Sequence, residues 1–248
     1  MATTQAAVSL QETSTHAAWV PVEKSMLSRV LYPNPVCLLS VRRLTDGDEN
    51  DEDHGKRQAN VMTITWLTPI NNQGGFLCSL NCNRYTAKYL QTPGSIFVLN
   101  VPVRGMEELV LAIGGCSGAN VDKFERLGIA TCAPGGRTLT AAAPSDGVRA
   151  VKTKKQKLSK QELAKQAIAD AASKCVAILG CAAHVLCRVE TIQADDGHYI
   201  LRCTQMAAWC REDYWNGKNF IPKSPSSEPY LTFLGSQVFG YVLPASRA

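Results

Sequence analysis

The chain has 248 residues, 45% of them hydrophobic and 19% charged, enough to bury a substantial core and few enough for one domain with decorations. Disorder is excluded by this composition, and no apolar run approaches the roughly 20 residues of a membrane-spanning helix, so a soluble protein is expected. The net charge of +5 is concentrated in Lys152, Lys154, Lys155, Lys157, Lys160 and Lys165, a run without the interleaved aromatics that stack on bases, which argues against nucleic acid.

Residues 1–21 have neither a basic start followed by an apolar block nor any arginine. They read as a flexible arm ahead of one domain over 22–248, with no leader and a cytoplasmic location. A short helix near 22–29 leads into a buried strand over 35–41, an apolar run bounded by proline and charge. The acidic loop 46–57 follows. Its opening resembles a calcium loop, but Asp51 stands where glycine is needed and Arg57 where glutamate is, so it reads as a solvated insertion. Residues 60–66 alternate Met62, Ile64 and Trp66 with Val61, Thr63 and Thr65, which a strand places on opposite faces. Further strands are predicted over 76–80 and 95–100, separated by a helix-like turn around 86–90 and the breaker Pro93-Gly94.

Short helices are predicted over 106–113 and 122–127, stopped by Gly114-Gly115 and by Gly128. A Lys-rich insertion spans about 134–173 and contains Ser159-Lys-Gln-Glu162, a capping box opening an amphipathic helix. Two long strands over 183–193 and 198–208 meet at Asp196-Gly197, a strong hairpin signal, and a final strand covers 230–242. Six or seven strands with helices as interruptions favour a closed antiparallel barrel over a βαβ sheet. No Gly-x-Gly-x-x-Gly or P-loop motif follows a strand, so a Rossmann or P-loop nucleotide site is not expected.

The ten cysteines mostly sit singly in apolar runs, as Cys37, Cys78, Cys181, Cys187 and Cys203 do, and read as reduced core thiols. Cys78 with Cys82 and Cys203 with Cys210 come nearest to metal spacing, yet neither has a second pair at finger spacing, so no metal is expected. Residues 79–86, Ser-Leu-Asn-Cys-Asn-Arg-Tyr-Thr, turn from strand into a helical start and supply hydroxyls, amides, a guanidinium and free backbone N–H groups, a set suited to phosphate. The same residues also suit a plain helix cap, with Asn83 as N-cap and Arg84 solvated. Thr63 and Thr65 share a face from which they can donate to a planar heterocycle, or serve as ordinary solvated threonines. Gly115-Cys-Ser-Gly118 with Asp122-Lys-Phe124 forms a glycine-rich turn ahead of a helix. Cys116 within it has no histidine in a matching segment and reads as a buried, inert thiol.

Taken in order, Pro35-Val-Cys-Leu-Leu-Ser40, Asn60-Val-Met-Thr-Ile-Thr-Trp66, Ser79 to Arg84-Tyr-Thr86, Gly94-Ser-Ile-Phe-Val-Leu-Asn100-Val-Pro102 and Ser117-Gly118 with Asp122-Lys-Phe124 resemble the flavin reductase-like, FMN-binding split-barrel family. Cys187-Arg-Val-Glu190, Ala207-Ala-Trp209 and Phe239-Gly-Tyr241 resemble its second half, so the likeness covers most of 31–242 outside the acidic loop and the insertion. This resemblance implies a mainly β, Greek-key antiparallel split barrel of six or seven strands with short decorating helices, and a homodimer with FMN, in preference to FAD, near the subunit interface. Phosphate would lie on the loop of Ser79, Leu80, Asn81, Asn83, Arg84 and Thr86. The isoalloxazine would lie beside Asn60, Met62, Thr63, Ile64, Thr65 and Trp66, with Ser117, Gly118 and Lys123 approaching from a second loop. No catalytic side chain is implied, because the chemistry belongs to the flavin N5. The implied activity is an oxidoreductase passing hydride or electrons from NADH or NADPH through FMN to free flavin or another acceptor; the alternative is a non-catalytic FMN carrier or sensor.

Overall fold

The structure, a computed structural model, describes residues 34–42, 59–136 and 159–244. The arm, the helix expected near 22–29, the acidic loop and Lys152 to Lys157 lie outside the described residues. In chain order the elements are β1 (Asn34–Pro35), β2 (Cys37–Arg42), β3 (Ala59–Ile64), β4 (Leu67–Pro69), β5 (Gly75–Asn81) and β6 (Ile96–Val101), then the helices α1 (Glu107–Gly115) and α2 (Lys123–Arg126). There follow β7 (Thr131–Cys132), α3 (Lys160–Ser173), β8 (Ala177–Ile178), the long hairpin of β9 (Ala183–Asp195) and β10 (His198–Cys210), and the hairpin of β11 (Tyr230–Gly235) and β12 (Val238–Val242).

Seven strands form one sheet in the order β3-β2-β6-β9-β10-β5-β4, with every pairing antiparallel. Its edge strands, β3 and β4, are consecutive in the chain, with only Thr65 and Trp66 between them. Three Cα steps reach about 11 Å at most, so the two edges must lie side by side and the sheet must curl into a nearly closed barrel. The strand expected over 60–66 therefore stops at Ile64: the Leu67 N–H returns to the Thr65 carbonyl and the Ser79 N–H takes the Trp66 carbonyl, each at 3.0 Å, which transfers the chain from one edge to the other.

Inside the barrel, Leu39, Val41, Met62, Ile64, Phe76, Leu80, Phe97, Leu99, Val189 and Leu201 form the principal core. On the outer side of β2 and β3, Val36, Leu38 and Val61 pack under Val110 and Ile113 of α1 and Leu231 of β11. Both faces of β2 are thus covered, which is why its sequence runs continuously apolar rather than alternating. All ten cysteines are free; burial pushes the Cys37 and Cys203 thiols up to about 12, which leaves them unreactive packing groups.

The β9–β10 turn forms as expected, with Asp196 at φ 40° and Gly197 at φ 74°, the two left-handed residues of a tight hairpin. The expected final strand is instead a hairpin: Ser236 and Gln237 adopt φ 48° and 68°, a left-handed pair with none of the usual Asn-Gly signature. The capping box also forms, the Ser159 N–H reaching Glu162 Oε2 at 2.7 Å and the Glu162 N–H reaching Ser159 Oγ at 3.3 Å. No helix among the described residues is long and apolar enough to cross a membrane.

Buried polar side chains bind the chain on either side of residues 137–158 to the barrel. Asn100, fully buried, donates from Nδ2 to the Leu38 carbonyl at 2.7 Å and to Ser40 Oγ at 3.0 Å, and its Oδ1 accepts the Ile178 N–H at 2.8 Å. Ser40 Oγ in turn donates to the Val176 carbonyl at 2.6 Å. On β9, His184 Nδ1 accepts the Gly135 N–H at 3.2 Å while Nε2 lies 2.9 Å from the Ile178 carbonyl, so the neutral Nε2–H tautomer satisfies both contacts. Asn100→Ala leaves several of these partners buried without a bond and should cost about 1–3 kcal/mol in urea unfolding.

Burial holds the His184 pKa below its ordinary value, opposed by the bond to the Ile178 carbonyl. With the folded pKa depressed, the stability from neutral His184 is fully present above the unfolded-state pKa of about 6.5 and is lost as pH falls toward the folded value. The urea midpoint should therefore drop below about pH 6.5, and His184→Gln should flatten that dependence.

Candidate functional site

A cavity of about 720 Å³ opens where β3 meets three other segments: the 3-10 turn Tyr85–Tyr89, the end of α1 with its following loop, and the β11–β12 hairpin. Among the described residues the edge strand β3 pairs only with β2, and side chains make the junctions on its other side. Asn60, 3% exposed, donates from Nδ2 to Oγ1 of Thr86, 1% exposed, at 2.8 Å. Thr63 Oγ1 donates to the Val110 carbonyl of α1 at 3.0 Å. A Cβ on Gly118 would stand 2.3 Å from Asn60 Oδ1, so only glycine lets the loop after α1 approach so closely.

That loop starts two residues later than expected, because Gly114 and Gly115 continue α1 instead of stopping it. The last carbonyls of α1 are capped from outside: Cys116 Sγ donates to the Ala112 carbonyl at 3.2 Å and Lys123 Nζ to the Ile113 carbonyl at 2.7 Å, contacts that can satisfy a helix end without a glycine stop. Asp122 caps α2 by accepting the Glu125 N–H, which places Lys123 at the start of α2 pointing back to α1. Lys123 is only 5% exposed. Burial, and then the nearby Arg84 cation, push its pKa down, while the adjacent Cys116 opposes them. No carboxylate stands among the described residues of the cavity wall, which carries both Arg84 and Lys123.

Of the residues singled out in the sequence, Asn60, Met62, Thr63, Thr65, Asn83, Arg84, Thr86, Ser117, Gly118 and Lys123 line the cavity. The others lie elsewhere. Ile64 and Leu80 point into the barrel core, and Trp66, turned away by the edge-to-edge crossing, stacks on His198 at 5.3 Å. Ser79 lies on β5, pairing with Ile200, and Asn81 organises the loop beneath the cavity. Its Oδ1 accepts the Asn83 N–H at 2.9 Å and its carbonyl accepts the Arg84 N–H at 3.1 Å, while the Cys82 N–H goes to the Gly197 carbonyl at 3.0 Å.

One expectation is corrected by this loop and another at the end of α1. Arg84, not Asn83, takes the cap position of a five-residue 3-10 turn and makes no side-chain cap bond. The backbone N–H groups of Cys82, Asn83 and Arg84 are already bonded within the protein, so these three lend no donors to a ligand. Cys116, expected to be buried, is half-buried and lines the cavity.

Sequence reasoning missed Tyr85, Val110, Leu111, Ile113, Phe233 and Gln237 in the wall. Val110 and Ile113 carry only the pattern of a helix core face. Phe233 and Gln237 come from a hairpin more than a hundred residues away, and nothing local marks them. Their effect is to add an apolar side to a polar cavity, a combination that suits a flat, partly apolar ligand with an anionic end.

No family model matches the chain, and no curated protein matches it in sequence. Solved structures do match. Flavoredoxin from Methanosarcina acetivorans has a TM-score of 0.58 at 18% identity, with 94% of this chain and 95% of that one covered. An FMN-binding protein from Thermus thermophilus gives 0.56 at 17% identity over 94% and 97%, and an NADH:FAD oxidoreductase from Streptomyces globisporus gives 0.53 at 15% identity over 91% and 96%. The fold is the flavin reductase-like split barrel.

Within this split barrel the tightest junction of the site is Asn60 against Gly118. Gly118→Ala should displace the Asn60 amide, break its bond to Thr86 and destabilise the protein by about 1–3 kcal/mol. In amide NMR spectra the largest shifts should fall on residues around Asn60, Thr86 and Gly118, with the β9–β10 hairpin unmoved.

Proposed function

We propose that the cavity binds FMN, in preference to FAD, and that the protein is a flavin-dependent oxidoreductase passing electrons from NADH or NADPH to free flavin or another acceptor. The observation that carries this reading is a 720 Å³ cavity on a split-barrel fold whose described wall holds two cations, no carboxylate and one apolar side. Its volume lies well within the range of small-molecule sites, and the excess positive charge favours a phosphate-bearing ligand. A dinucleotide would extend beyond it.

Arg84, exposed at the mouth, and Lys123, buried in the wall, would receive the phosphate together with Thr86, Asn83 and Ser117. Met62, Val110, Ile113 and Phe233 would cover the apolar body of the ring and keep water from it. Thr63 would orient the polar edge: its hydroxyl proton is committed to the Val110 carbonyl, so its oxygen is left to accept. When bound, a flavin supplies hydride acceptance and donation at N5, and the protein need only bind, orient and tune it. A wall without Asp, Glu or His among its described residues fits that division of labour, and equally fits a second reading, a non-catalytic FMN carrier or sensor.

We further propose a homodimer. The hairpin bounding the cavity and the residues after it expose Leu234, Val238, Tyr241 and Leu243, apolar surface that a second copy would cover. The free thiols suit a reducing compartment such as the cytoplasm.

Purified protein mixed with FMN should retain a yellow visible spectrum after desalting and bleach anaerobically on addition of NADH or NADPH. Colourless protein that takes up no flavin would sink the binding proposal, and colour that persists with both nicotinamides would leave the carrier reading. Arg84→Ala should weaken FMN binding by about 1.5–3 kcal/mol, the range for hydrogen bonds to charged groups, in a fluorescence-quenching titration.

A further inference from the structure

A second, smaller cavity of about 280 Å³ lies between the end of β2, the start of β6, the 3-10 turn and the C-terminal end of α3. Its described lining carries Arg42 and Lys174 and no carboxylate, with Val41, Ile96 and Ala171 as apolar wall and Tyr89 and Ser95 as hydroxyl groups. Arg42 Nε is buried and finds no hydrogen-bond partner among the described residues. A buried guanidinium N–H without an acceptor is costly and rare in folded proteins, and one standing in a cavity wall is a donor waiting for a ligand atom.

Among the described residues, local structure does not account for the excess charge. The C-terminal end of α3 offers at most about half a negative charge, and only near its last turn, against two full cations. The Lys174 N–H already caps the Ala171 and Ala172 carbonyls, and its ammonium is exposed. Cys175, which interacts with Arg42, is pushed up to about 11 by burial, with Arg42 opposing, so it remains a neutral thiol and offers no counter-charge at neutral pH.

We propose that this cavity is a second anion-binding site, separate from the FMN cavity, for a small organic anion whose phosphate or carboxylate group sits between Arg42 and Lys174. The head group accepts from Arg42 Nε and from the Lys174 ammonium, and the ligand body lies against Val41, Ile96 and Ala171. A volume of 280 Å³ admits a ligand the size of a benzoate or a phosphate ester and excludes a flavin nucleotide. The site does not rest on the FMN reading. It shares with the larger cavity only the 3-10 turn, where Tyr89 lines one cavity, Tyr85 lines the other, and Tyr89 OH donates to Tyr85 OH at 3.2 Å.

The test is isothermal titration of the full chain with sodium phosphate and, separately, sodium benzoate at constant ionic strength, with chloride as control. One probe should bind saturably, and which one names the head group. Arg42→Gln should weaken that probe by about tenfold or more, as expected for loss of a charged hydrogen bond, while FMN uptake stays at the wild-type level. Lys174→Gln, an exposed substitution that leaves the core untouched, should weaken it less, and Arg84→Gln not at all. Saturation by neither probe, equal response to chloride, which would mark an adventitious ion only, or binding that survives both Arg42→Gln and Lys174→Gln would overturn the site. Loss of probe binding on Arg84→Gln would assign it to the larger cavity and overturn the proposal equally.

Discussion

The two residues between Ile64 and Leu67 are the constraint on which the rest of the structure depends. They join the two edges of a seven-stranded sheet, and a link that short leaves the sheet no choice but to curl until its edges meet. Closure removes exposed strand edges, but it is incomplete, since among the described residues β3 has no ladder partner beyond β2. Side chains bridge the remaining gap, Asn60 to Thr86 and Thr63 to the end of α1, and space left between those bridges becomes the cavity. The site is a consequence of how the barrel fails to close.

Its electrostatic character follows from the same geometry. Lys123 reaches back across the loop to cap α1, and in doing so buries an ammonium whose partner is a carbonyl rather than a carboxylate. Burying a charge with only a dipole as partner is unfavourable, and Arg84 nearby adds repulsion. The wall is therefore held in a state that an anion improves. Among the described residues, cation placement without counter-ions recurs at Arg42 and Lys174 on another side of the barrel, where the apolar surroundings are smaller. In both places positive charge costs stability that the described residues of the wall do not offset.

Much of the β framework was legible locally. The apolar run of β2, the alternation in β3 as far as Ile64, the Asp196-Gly197 turn and the Ser159–Glu162 capping box each depend on neighbours within a few residues, and the structure has each of them. Where contacts come from afar the reading went astray. Gly114 and Gly115 carry a helix-stop signal, but Lys123 and Cys116 cap α1 from outside and the helix continues. Ser236 and Gln237 carry no turn signal, yet Phe239 packs back on Phe233 at 5.6 Å and the chain folds into a hairpin.

What the sequence determined by itself is the main strands of the barrel sheet, the Ser159–Glu162 cap and the concentration of polar groups in two segments, around Asn60 to Thr65 and around Asn83 to Thr86, because these rest on side-chain alternation and local hydrogen bonding. What only the tertiary structure decided is which of those groups share a space. Ile64, Trp66, Ser79, Leu80 and Asn81 lie beside cavity residues in the chain but not in the fold, since alternation and the edge-to-edge crossing turn them elsewhere. Phe233 and Gln237 join the wall because a distant hairpin packs against the outer side of the barrel. That placement depends on closing long loops against a curved sheet, and no pattern of neighbouring residues encodes it.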